Sequence, residues 1–143
     1  MSGPFVHVHR VRFAEVDAAG LAYFAHFFGW CHDAMAAMLA DLEGGYRALV
    51  VDRKLGLPAV HVEADFSAPL RFGDEVRIAT HVERVGRSSC TLRFELTRAV
   101  DGRPPDAIAT LRHVVALTDL HALRATPLPA DVRALLEAHQ AVV

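Results

Sequence analysis

The hydrophobic pattern of this chain changes period once, and that change limits the folds open to it. From Phe24 the large apolar residues recur as Phe24, Phe27, Phe28, Cys31, Met35, Met38, Leu39 and Leu42, the i, i+3, i+4, i+7 spacing of one helical face. Beyond Gly56-Leu57-Pro58 the apolar positions alternate instead. Val60, Val62, Ala64 and Phe66 oppose His61, Glu63, Asp65 and Ser67. Val76, Ile78, Thr80 and Val82 follow, then Cys90, Leu92, Phe94 and Leu96. Such alternation predicts half-buried strands, and Asp101-Gly102 is a hairpin signal ahead of a last strand from about Ala107 to Thr118.

The links between these strands are shorter than the dozen or more residues a parallel crossover takes, so successive strands are expected to be antiparallel neighbours. One strand with a mixed pattern, Phe5 to Phe13, precedes the helix. Gly44-Gly45 stops the helix, Tyr46 to Lys54 can add a short one, and a terminal helix is expected over about 129–139. The expectation is a single α+β domain over 1–143, an antiparallel sheet with one long helix on one face.

Composition removes several function classes. A net charge of -2 argues against a general nucleic-acid binder. No run approaches the ~20 apolar residues of a membrane span, and the start, Met-Ser-Gly-Pro-Phe-Val-His, lacks the pattern of a secretory leader, so the cytoplasm is expected. Cys31 and Cys90 fall in apolar faces without metal-type spacing and read as buried free thiols.

Asp17 is the main candidate for chemistry. It lies just upstream of the helix start, where backbone N–H groups lack intrahelical acceptors and the helix dipole is positive. The residue types alone also allow an ordinary Asx turn before Gly20. Glu15 reads as a structural or solvated partner. His61, Glu63 and Asp65 share a strand face but lack a fourth ligand, which favours a solvated or interface face over a metal site. His113 reads as a hydrogen-bonded core or interface histidine.

The run Phe13-Ala14-Glu15-Val16-Asp17-Ala18-Ala19-Gly20-Leu21-Ala22-Tyr23-Phe24-Ala25-His26-Phe27 resembles the signature of hotdog-fold acyl-CoA thioesterases of the 4-hydroxybenzoyl-CoA thioesterase family. There an acidic residue, a spacer, the catalytic aspartate, two small residues and a glycine precede aromatics at the helix start. Pro69-Leu70-Arg71-Phe72-Gly73-Asp74-Glu75 is similar to a second family segment. Phe24 stands where some members carry histidine, and Glu15 replaces the commoner aspartate; both departures bear on the substrate.

The resemblance implies a hotdog fold, a five-stranded antiparallel sheet wrapped around the helix. It also implies a homodimer with continuous sheets, usually a homotetramer, and active sites between protomers. No metal or redox cofactor is implied, coenzyme A being part of the substrate. Asp17 would act as nucleophile or general base, with the Phe24 backbone N–H as oxyanion donor. Gly20, Tyr23, His26 and Phe27 would meet the substrate. His26 and Asp33 share a helix face whose neighbours Gly29, Ala36 and Ala37 are small, suited to a dimer contact, an acyl pocket or a buried polar pair. In hydroxybenzoyl members an acidic helix residue meets the distal hydroxyl of the acyl ring; His32 takes that position here, with Asp33 next to it. Arg87, with Ser88 and Ser89 in the turn after the third strand, matches the coenzyme-contact region, and Arg84 is close by; turn arginines that are simply solvated are the alternative. The function expected is hydrolysis of an aromatic (hydroxybenzoyl- or benzoyl-type) or medium-chain acyl-CoA, without nucleic-acid or membrane partners. An acyl-carrier-protein thioesterase and a non-catalytic acyl-thioester binding module are the alternatives.

Overall fold

The computed structural model describes residues 3–140. Met1 and Ser2, part of the stretch read for a leader, lie outside the described residues. Strand β1 (Phe5–Arg10) leads through a 3-10 turn (Phe13–Glu15) to helix α1 (Ala25–Met38), which runs on as one 3-10 turn, Leu39–Asp41. The helix is thus shorter than its apolar stripe predicts. Gly44 and Gly45, at φ +77° and +71°, turn the chain into a short helix α2 (Gly45–Arg47) and a π-helical turn (Ala48–Asp52). Then come β2 (Leu55–Gly56), β3 (Ala59–Phe66), β4 (Glu75–Val85), β5 (Ser89–Val100), β6 (Arg103–Ala116), β7 (Thr118–Asp119), β8 (Arg124–Ala125) and α3 (Ala130–Ala138).

The main sheet has five strands in the order β1-β4-β5-β6-β3, all antiparallel, and is wrapped around α1 in the hotdog arrangement. A small sheet of β2, β7 and β8, which alternation did not reveal, closes one end. One expectation fails: β3 and β4 are consecutive but not neighbours. β3 pairs with β6 and β4 with β1, so residues 67–74 carry the chain past two strands. Three strand spacings of ~4.8 Å are well within reach of a link that length. The link crosses the start of α1 and brings Leu70 and Arg71 against Leu21 and Ala22: Ala22 N–H donates to Leu70 C=O at 2.8 Å, and Leu21 bridges Arg71.

The period-2 reading holds where α1 covers the sheet. Val76, Ile78, Thr80 and Val82 of β4 and Cys90, Leu92, Phe94 and Leu96 of β5 are buried, facing Phe27, Cys31, Met35 and Met38. Each fully buried large apolar side chain contributes ~1.5–3 kcal/mol. Two readings of apolar faces need correction. Phe24 is 54% exposed, while Trp30 and Ala34, left out of the stripe, are buried. And β3 is not half-buried: Val60, Val62 and Phe66 are exposed. The helix packs toward β1 and β4, leaving the edge strand β3 beside an open groove.

Candidate active site

Asp17 sits in a tight turn closed by its own backbone and side chain. Its N–H donates to Leu21 C=O and its C=O accepts from Gly20 N–H, both at 2.9 Å, while Val16 bridges Ala22. Gly20 has φ +81°, a conformation costly for any residue with a Cβ. The carboxylate accepts Ala19 N–H at 2.9 Å and Leu21 N–H at 3.4 Å, both on Oδ1. Among the described residues Oδ2 has no partner. The Asx turn is therefore real, and it fixes one carboxylate oxygen while leaving the other in solvent.

Glu15 anchors this turn. Buried at 3% exposure, it accepts Trp30 Nε1–H at 2.6 Å, Arg12 N–H at 2.8 Å and an Arg12 guanidinium N–H at 3.3 Å, and lies 2.9 Å from His9 Nε2. Burial alone raises a carboxyl pKa. Here the bonds from Trp30, Arg12 and His9 outweigh it and bring Glu15 down to about 2. It is a structural carboxylate. Its partner Trp30 was detectable as the residue three past Phe27 on the same helical face.

At the helix start the donors are open. Tyr23 N–H is taken by Glu15 C=O, His26 N–H by Tyr23 C=O and Phe27 N–H by Phe24 C=O. No side chain caps the helix, so among the described residues the N–H groups of Phe24 and Ala25 have no acceptor. Phe24 lines a cleft of about 310 Å³ whose other walls include Leu21, Phe27, Phe66 and Pro69. Phe66 meets Phe27 and Phe24 edge-on, with ring centroids 5.1 and 6.3 Å apart. Asp17 does not line this cleft in one protomer; its turn partner Leu21 does. A second cleft, of about 200 Å³, lies along α1 and β3 between Phe28, His32, Met35, Val62 and His113.

The other expected residues divide. Tyr23 is exposed beside Phe24, with ring centroids 5.0 Å apart, and half-buried His26 meets the Tyr23 ring at 6.2 Å. Neither His26 nor Asp33 lines either cleft. His32 lines the second cleft, and both it and Asp33 are exposed. His61 and Glu63 pair at 2.8 Å on the surface, with Arg112 3.6 Å from Glu63. His113 departs from the reading given it, because its buried Nε2 has no hydrogen-bond partner. Its position inward between Leu111 and Val115 on β6 was the signal.

Arg84, Arg87 and Ser88 are not brought to the helix start of their own subunit. They sit at or beside the β4–β5 turn, at the end of the sheet where Ser89 pairs with Ala116 and Ala59 with Val115. Phe66, at the first cleft, pairs with Ala109. At ~3.3 Å per strand residue the two ends are on the order of 20 Å apart. Arg84 and Arg87 are exposed, and among the described residues neither side chain is ion-paired.

The α1 wrapped by the five-stranded sheet, with an aspartate turn at the helix N-terminus, is a hotdog-fold domain. The chain belongs to the Thioesterase-like superfamily, whose model matches residues 11–136. It is similar to the 1,4-dihydroxy-2-naphthoyl-CoA hydrolase of Synechococcus sp. (strain CC9605), 33% identical over 96% of this chain and 93% of that protein. The enzyme of the same name from Prochlorococcus marinus (strain MIT 9313) is 35% identical over 59% of this chain, a match spanning 61% of that relative's length. Among solved structures the dynemicin thioesterase is 31% identical with a TM-score of 0.85, over 98% of this chain and 99% of that one. The 4-hydroxybenzoyl-CoA thioesterase of Pseudomonas sp. strain CBS-3 shares the fold, with a TM-score of 0.82 at 24% identity over 94% of this chain and 99% of that one.

Proposed function

We propose that the protein is an acyl-CoA thioesterase acting on an aromatic acyl group, with Asp17 as the reacting carboxylate and the Phe24 N–H as oxyanion donor. The carrying observation is the unpaired Phe24 N–H at the rim of an aromatic-walled cleft, beside a turn that holds Asp17 with Oδ2 free. The names of the similar hydrolases support an aromatic acyl-CoA. A backbone donor held in place at a helix start stabilises an oxyanion without reorganisation.

Two routes use the same groups. In one, Asp17 Oδ2 attacks the thioester carbon, the C–S bond breaks and the thiolate leaves, taking up a proton; water then cleaves the mixed anhydride and restores the carboxylate. In the other, Asp17 takes a proton from water as the water adds to the carbonyl, and passes it to the departing sulfur.

The site is shared between copies in this reading. Strand β3 exposes an unpaired edge with Val60, Val62 and Phe66 on it, which self-pairing would cover. A dimer, and then a dimer of dimers, would cover the groove and supply Arg84, Arg87 and Ser88 for the coenzyme phosphates from a neighbouring subunit, bridging the separation found within one chain. No helix among the described residues is long and apolar enough to cross a membrane, and we place the enzyme in the cytoplasm. The test is thiol release from panels of acyl-CoA and acyl-carrier-protein thioesters. Turnover of aromatic acyl-CoA supports the proposal, turnover of carrier-protein substrates alone replaces it with the carrier enzyme, and binding without turnover leaves a binding module.

A further inference from the structure

The side of the sheet turned away from α1 carries a cavity of its own. Val76 and Ile78 of β4 are buried toward the helix, so Arg77 between them projects from the opposite side. Val8 of β1 stands level with Arg77, and Thr97 of β5 flanks it on the other hand. The cavity here measures about 360 Å³, is larger than either cleft beside α1 and shares no lining residue with them. Val8 and Ala99 supply its apolar wall, and Arg77, Arg98, Asp74 and Glu75 its charges.

Those charges do not cancel. Arg98 donates to Asp74 Oδ2 at 3.1 Å and to Asp106 Oδ2 at 2.7 Å, and Asp74 Oδ2 also accepts Arg71 N–H at 2.8 Å. Glu75 Oε2 lies 3.7 Å from the Arg10 guanidinium. Farther along the same face Arg93 and Arg112 reach acids at 2.6 and 2.9 Å. Arg77 has no such partner among the described residues, and its in-register neighbours Val8 and Thr97 carry no charge. The cavity therefore has both carboxylates engaged and one guanidinium left over.

We propose that this cavity is a second binding site, apart from the catalytic cleft, for a small monocarboxylate with a compact apolar body. The carboxylate pairs with the Arg77 guanidinium while the body rests on Val8 and Ala99. The inference does not draw on the thioesterase reading. Three features select this ligand class. The volume lies at the small end of the ~300–1,000 Å³ of ligand pockets, which suits one ring or a short chain. The planar fork of a guanidinium matches a carboxylate through two parallel hydrogen bonds. And the charge count admits a single negative charge: a phosphate dianion would bring a second one beside Asp74 and Glu75 with no further free cation to meet it, whereas a cationic ligand would find both acids already engaged.

Site-resolved NMR on the full chain tests this. The methyl signals of Val8 and Ala99 are followed while benzoate, hexanoate, their uncharged amides and inorganic phosphate are added in turn; the signals of Phe24 and Phe27 report separately on any binding at the catalytic cleft. Saturable shifts at Val8 and Ala99 with at least one of the two acids, and not with its amide, support the proposal. No shift, or equal shifts with the amide or with phosphate, overturns it. In R77Q the affinity for the carboxylate should fall roughly 10-fold, and R77K, which keeps the charge but loses the fork, should retain part of it. An unchanged affinity in R77Q also overturns the proposal. The comparison of acid with amide uses wild-type protein, so poor folding of a variant does not affect it, and neither result depends on whether any thioester is hydrolysed.

Discussion

Trp30 Nε1 donates to Glu15 Oε2 at 2.6 Å, a bond that fastens the turn before Asp17 to the middle of α1. Both residues are buried, so the bond has little competition from water. It gives a solvent-exposed carboxylate a rigid mount, because the segment from Glu15 to Ala22 is held by the helix on one side and by Leu70 on the other.

Glu15 sets an acid limit on stability. Its folded pKa of about 2 lies below the ordinary 4.5, so its contribution is complete above pH ~4.5 and is lost as pH falls through that interval toward 2. The linkage is on the order of 3 kcal/mol. In Glu15→Gln, denaturant titrations at pH 7 should show a loss of this order, and the acid limb between pH 4.5 and 2 should flatten toward the wild-type curve. Parallel acid limbs would show that Glu15 is not the linked group.

Replacing Asp17 with Asn keeps an oxygen for the Ala19 and Leu21 N–H groups and removes the carboxylate. Activity should fall about 10²- to 10⁴-fold, while the melting temperature barely moves, since exposed substitutions usually change stability by less than ~0.5 kcal/mol. Retained activity in a folded Asp17→Asn protein would remove Asp17 from the chemistry.

Gly20→Ala separates posture from chemistry. A Cβ at Gly20 meets no atom within 4 Å, yet the residue sits at φ +81°. The cost is therefore backbone strain, about 1 kcal/mol. The chain relieves it by re-forming the turn that holds Asp17, so kcat should drop with the melting temperature only slightly lowered.

Arg87 is exposed at the turn after β4. If it contacts coenzyme phosphates from a neighbouring subunit, Arg87→Ala should raise KM for acyl-CoA several-fold and leave acyl-pantetheine, which lacks the nucleotide, unaffected. Equal changes on both substrates would place Arg87 outside the coenzyme site.

Val60 is 64% exposed on the open edge of β3. A Lys there should leave the subunit folded but weaken self-association by about 3 kcal/mol, the loss of two symmetric valine burials, as read by sedentation equilibrium or size exclusion. An unchanged assembly would show that β3 is not the contact.

The amino-acid sequence settled what depends on neighbours along the chain. The 3.6-residue period of α1, the alternation in β4 and β5 and the Asp17–Gly20 turn are local patterns, and each is found in the structure. The family signature rests on the same short runs. What it could not show depends on partners far apart in the chain. The order β1-β4-β5-β6-β3 follows from a link able to cross the helix start, a length that an adjacent hairpin would also accommodate. Glu15 finds Trp30, His113 is left without a partner and Arg87 lies at the far end of the sheet from Phe24 only once that order is fixed. Periodicity records which face a side chain occupies; the wrapping of the sheet around α1 decides which polar atoms on that face are satisfied and which remain free to meet a ligand.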